Sequence, residues 1–129
     1  MNILFFLTPK SEVKYLETNL TIRQTSLKFF IHEFTSVPVL DQDGHYVRSV
    51  SEGDLFRYFM NHPDKRIEEF HENIMELGEE RVYHSIYHNQ NMEDLYALIE
   101  QQNYIPVLDD RDIFIGIITR KKVIEYLKK

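Results

Sequence analysis

The chain of 129 residues carries a formal net charge of −6, with 43% hydrophobic and 28% charged residues, which suits one compact domain or two small units sharing a core. The acidic balance argues against non-specific binding to nucleic acid or an anionic membrane surface, while leaving small anions open to a local basic pocket. No window approaches the roughly 18 consecutive apolar residues of a membrane span. The absence of cysteine excludes a disulfide framework and thiol chemistry, and the N-terminal Asn2–Leu7 stretch is too short for a secretory leader; both accord with a cytoplasmic protein.

In chain order, a first strand precedes Thr21, which is placed to cap a helix running to about Phe34. Val37–Leu40 reads as a short apolar strand. Asp41-Gln42-Asp43-Gly44 is a turn, and His45–Val50 the returning strand. Ser51 then caps a helix carrying Leu55, Phe56 and Phe59. Residues 61–80 are charged and helix-like after Pro63, and read as a connecting helix ending at Gly78. Another strand precedes Asn91, the cap of a helix whose first turn holds Glu93 and Asp94. Ile105–Leu108 and Ile113–Ile118 form a second hairpin, and Thr119 opens the last helix.

The second set of elements repeats the first. Thr35–Phe59 and Asn103–Leu127 align without a gap at a 68-residue offset, with Val-Pro-Val-Leu-Asp answered by Ile-Pro-Val-Leu-Asp. Leu27, Phe30 and Ile31 fall on Leu95, Leu98 and Ile99, an apolar face at helical spacing in both copies. A match of this length indicates an internal duplication. The expected fold is α/β (α+β), two β-α-β-β-α motifs packed with pseudo-twofold symmetry. The first motif takes residues 1–60, a helical linker 61–80, and the second motif 81–129.

This duplicated unit, with its hydrophobic-Pro-Val-hydrophobic-Asp strand and its strand ending in Ser/Thr-x-x-Asp, resembles the CBS domain, two of which in tandem form a Bateman module. The stretches Thr8–Gln24 and Tyr46–Phe56 are similar to short stand-alone CBS proteins of Gram-positive bacteria. The resemblance implies a non-enzymatic regulatory sensor that binds an adenine nucleotide (AMP, ADP, ATP or cyclic di-AMP) and signals to a target protein. The stand-alone relatives favour cyclic di-AMP, against which Glu12 places an acid near the first-strand loop. The alternative is an interaction module with degenerate sites.

The resemblance nominates Lys14 and Tyr15 near the first strand, Ser36 and Val37 as backbone against the adenine, and Ser51 and Asp54 at the first corner. The chemistry agrees. A helix N-terminus favours phosphate, a serine hydroxyl can donate to it, and a carboxylate one turn on can accept both ribose hydroxyls. At the second corner Lys122 stands in place of Asp54 and cannot accept from ribose. Thr119, Arg120 and Lys122 there read as a phosphate clamp, against the blander reading of a solvated charged turn. Arg48 occupies the position of Gly116, where it either narrows the pocket or itself reaches for phosphate.

No catalytic constellation, Gly-rich phosphate loop or required cofactor is expected. His84 and His88 fall in a strand and its following loop, so they share no face and no metal site is expected. Apolar positions on the helices after each hairpin (Leu55, Phe56 and Phe59; Val123, Ile124 and Leu127) exceed what one buried face needs, and predict a homodimer.

Overall fold

A computed structural model describes residues 1–128 and divides the chain into two compact units. One comprises Tyr15–Gln42 and Val47–Val82, and is called here the first unit. The other comprises Met1–Lys14, Asp43–Tyr46 and Tyr83–Lys129, the second unit. The fold is mixed α+β, with two small sheets and short helices, as the repeat predicts.

In the first unit, β2 (Leu16–Glu17) runs parallel to β3 (Ser36–Leu40), with Leu16 opposite Val39, and β4 (Tyr46–Ser51) is the next strand of the sheet. Helices α1 (Ile22–His32) and α2 (Glu52–Met60) follow β2 and β4. In the second unit, β5 (Ile86–Tyr87) runs parallel to β6 (Tyr104–Leu108), which is antiparallel to β7 (Phe114–Thr119). Helices α3 (Met92–Ile99) and α4 (Arg120–Leu127) occupy the corresponding places. The expected caps form. Thr21, Ser51 and Asn91 each accept the amide of the residue three on, and Gln24, Asp54 and Asp94 return a bond to the cap amide.

The second unit has a fourth strand. β1 (Thr8–Pro9) pairs antiparallel with β7, Pro9 opposite Gly116. The approach needs glycine there, because a Cβ on Gly116 would stand 2.1 Å from the Thr8 carbonyl oxygen, at a backbone φ of +153°. The preceding single 3-10 turn, Ile3–Phe6, drives Ile3 and Phe6 into a core with Ile86, Leu95, Ile105, Ile118 and Val123.

The linker departs from expectation. Residues 61–80 do not form a connecting helix. They make two isolated 3-10 turns, Ile67–Glu69 and Ile74–Glu76, and bury Phe70, Ile74 and Leu77 in the core of the first unit. Their backbone is spent elsewhere: the amides of Ile22 and Arg23 donate to the carbonyls of Glu72 and Phe70, and the Ile74 amide donates to Leu20. A helix would need those carbonyls for itself.

The apolar face of α1 also differs. Phe30 is 83% exposed and Ile31 68%, whereas the corresponding second-repeat helix buries Leu95 and Ile99. The buried side of α1 carries Ile22, Thr25, Ser26 and Phe29, with the two hydroxyls satisfied by the carbonyls of Thr21 and Ile22 at 2.8 Å. Hydroxyls bonded one turn back are tolerated in a core, so helical spacing alone does not say which stripe turns inward.

Candidate functional site

The first corner assembles entirely within the first unit. β3 begins at Ser36, half-buried, and continues with Val37, 1% exposed. The Thr35 carbonyl before them accepts the Glu52 amide at 3.0 Å, which fixes the start of β3 to the start of α2. Ser51 sits at the N-cap of α2 with its hydroxyl oxygen 3.3 Å from the Asp54 amide. Ser36, Val37, Ser51 and Asp54 are therefore brought to one strand-to-helix corner, with Tyr15 in the same unit and just before β2.

Asp54 is not an open acceptor in this state. Its side chain is 2% exposed. Oδ2 accepts the Ser51 amide at 2.9 Å and lies 3.5 Å from Arg48 Nη2, while Oδ1 accepts the Glu80 amide at 3.1 Å. Arg48 is 7% exposed and makes three further bonds: Nε donates to the Ser49 carbonyl at 3.1 Å, Nη1 to Leu77 at 2.6 Å and Nη2 to Gly78 at 2.8 Å. A strap from Leu77 to Glu80 is thus held against the corner from both ends. On its outer side Arg57 pairs with the Glu80 carboxylate, with both side chains at least half exposed.

The second corner lies in the second unit. Thr119 caps α4, accepting the Lys122 amide at 3.2 Å, but no side chain returns the bond because Lys122 has no acceptor. The Arg120 amide donates to the Asn103 carbonyl at 2.9 Å, and its Nε donates to the Ile99 carbonyl at 2.6 Å, which anchors the guanidinium beside the end of α3. Lys122 is exposed and lines a cavity of about 270 Å³ with Phe5, Phe6, Glu125 and Tyr126. Lys14, also exposed, is the last residue of this unit before the chain enters the first unit at Tyr15.

The two corners differ where the strand before each helix differs. At Gly116 the backbone of β1 lies against β7, whereas at Arg48 a side chain bonds the carbonyls of the strap. Aligning the repeats exposes Arg48 as the odd residue, but not its partners. Leu77 and Gly78 lie 29 and 30 residues further along the chain, and no local pattern signals them.

The family model for the CBS domain matches residues 7–61 and 80–129, both repeats of the chain. The chain belongs to the CBS domain family. Solved CBS structures share its fold. A CBS domain protein from Streptococcus pneumoniae TIGR4 aligns at a TM-score of 0.85 with 24% identity, over 96% of this chain and 84% of that one. A structure of CbpB in complex with c-di-AMP aligns at 0.86 with 22% identity, over 99% and 85%. CBSX2 in complex with AMP aligns at 0.74, also with 22% identity, over 98% and 96%. No curated protein matches by sequence. No helix among the described residues is long and apolar enough to cross a membrane.

Proposed function

We propose that this CBS pair is a non-enzymatic regulator. It takes an adenine nucleotide at the corner of Ser36, Val37, Ser51 and Asp54 and passes the occupancy to a target protein as a cytoplasmic homodimer. The observation that carries this reading is the corner itself: the first turn of α2 gathers a capping hydroxyl, helix-terminal amides and the buried Asp54 carboxylate at the start of β3. Amides at a helix N-terminus attract phosphate, and a carboxylate is the natural acceptor for a vicinal diol. The c-di-AMP and AMP complexes of proteins with this fold support an adenine nucleotide as ligand class. Thr119, Arg120 and Lys122, which put donors and positive charge at the start of α4, are proposed as phosphate contacts.

One observation favours a second reading. Asp54 already holds the Ser51 and Glu80 amides and lies beside Arg48, as it would in a corner retained only for folding. The protein would then be an interaction module without a ligand. Thermal unfolding against AMP, ADP, ATP and cyclic di-AMP separates the two. Ligand at a hundred times its Kd adds about 2.7 kcal/mol to the folded state. A shift with any of the four nucleotides supports the regulator, and the absence of a shift with all four at millimolar concentration refutes it.

A further inference from the structure

We infer that Arg48 sets the nucleotide affinity of the first corner by clasping the Leu77–Glu80 strap against Asp54, so that a ribose and the strap compete for one carboxylate. The inference rests on the proposed function for the identity of the competitor. The clasp itself rests on geometry alone.

A buried guanidinium must have its donors satisfied. Arg48 spends them on one strand carbonyl, two consecutive strap carbonyls and the proximity of Asp54. In the second unit the corresponding place is filled by backbone, β1 on β7 across Gly116. In the first unit β4 ends its sheet among the described residues, and the arginine fork replaces a strand partner. The strap is consequently held by side chains that a single substitution can release. Its outer fastening, Arg57 with Glu80, is solvent-exposed and therefore weak. The firm attachments are the Arg48 bonds to Leu77 and Gly78 and the bond from the Glu80 amide to Asp54.

A carboxylate that is 2% exposed reaches a ribose only after that amide has left it. If the open form is a fraction of the population, the apparent Kd rises by the inverse of that fraction. Loosening the clasp raises the fraction and tightens binding. Occupancy in turn frees Leu77–Glu80, which makes this strap the element through which the bound state is reported.

The test is Arg48→Gln, with Arg48→Lys as a charge-keeping variant that loses the fork; circular dichroism confirms that each is folded. Two readouts are taken: hydrogen exchange of the Glu80 amide without ligand, and calorimetric titration with AMP and with cyclic di-AMP. The expected result is faster Glu80 exchange in both variants, together with an apparent Kd lowered by about tenfold for whichever probe the wild type binds. The gain should vanish in Arg48→Gln/Asp54→Ala. Unchanged Glu80 exchange overturns the clasp whatever the nucleotides do. Faster exchange with equal or weaker binding overturns the competition. Faster exchange with no binding of either probe, nor of ADP or ATP titrated in the same way, to any variant supports the clasp and overturns the proposed function instead.

Discussion

Asp54 carries two roles that a substitution can tell apart. As the returning half of a capping box it fixes the start of α2, and as the neighbour of Arg48 it offsets a buried cation. Removing one member of a buried pair costs about 3–5 kcal/mol when the other is left without compensation. Here the Arg48 bonds to three carbonyls keep the loss near the lower end. Asp54→Ala is expected to lower the unfolding free energy by about 3 kcal/mol, measured by urea denaturation. At a temperature where the variant stays folded, it should also weaken nucleotides by about tenfold to a hundredfold, the loss of a charge-assisted bond. Stability lost without any change in affinity would leave Asp54 as a folding residue only. The position of Asp54 was legible from Ser51-x-x-Asp54, because capping is a local rule. Its occupation by the Glu80 amide was not, since that contact joins residues 26 apart. Gln102 teaches the same lesson. It is 2% exposed and clips the backbone of His84 to that of Tyr104, yet nothing in its neighbourhood marks a buried amide.

At the scale of elements, caps, turns and hairpins follow from sequence because each depends on residues a few positions apart. The segments flanking the repeats do not. The Ile3–Phe6 turn is a short apolar run, and Phe70–Leu77 is half polar with Phe70, Ile74 and Leu77 buried; the conformation of each is decided by the core that receives it. Gly116 shows how tight that reception is. Gly116→Ala should force β1 off β7, since the Thr8 carbonyl cannot yield 1 Å without breaking its pairing. The expected outcome is a lower melting temperature and faster exchange of the Thr8 amide, the one N–H that β1 carries, while Gly78→Ala, with open space around its Cβ position, serves as the silent control.

The linker supplies a pH dependence. The Tyr58 hydroxyl donates to Glu72 at 2.9 Å and Lys65 approaches Glu72 at 3.3 Å. The Tyr58 bond, followed by Lys65, holds the Glu72 carboxyl below its ordinary range, while burial, followed by Glu72, pushes the Tyr58 hydroxyl up to about 12. A lowered carboxyl stabilises the fold above its unfolded pKa, and that contribution is lost as pH falls through the folded value. A raised phenol stabilises below its unfolded pKa, and the contribution is lost as pH climbs towards 12. Melting temperature against pH should therefore flatten on the acid side in Glu72→Gln and on the alkaline side in Tyr58→Phe. Parallel curves for variants and wild type would show that the contact does not persist in solution.

For the whole molecule, the feature most in need of a partner is the outer face of the first unit. Phe30, Ile31, Phe56 and Met60 are each more than 60% exposed, and a groove of about 980 Å³ opens between α1 and α2 with Phe30, Phe34, Phe56 and Phe59 among its lining residues. The duplication made surplus apolar surface on α2 predictable, because two copies of one pattern carried it. That α1 adds Phe30 and Ile31 did not follow from helical spacing, which put them on the apolar face, because the buried side mixes Thr25 and Ser26 with Ile22 and Phe29. Aromatic side chains at this exposure are costly in water and are the residues that dominate interfaces. In the second unit Ile124 and Leu127 on α4 are 40% and 55% exposed. Sedimentation equilibrium is expected to give a dimer at tens of micromolar. Phe56→Asp, which places a charge where the proposed interface excludes water, should shift it to monomer while leaving the circular dichroism spectrum unchanged. Lys65→Asp, outside the groove, should remain dimeric. A wild-type monomer would remove the homodimer from the proposed mechanism. A Phe56→Asp dimer as tight as wild type would move the interface away from α2.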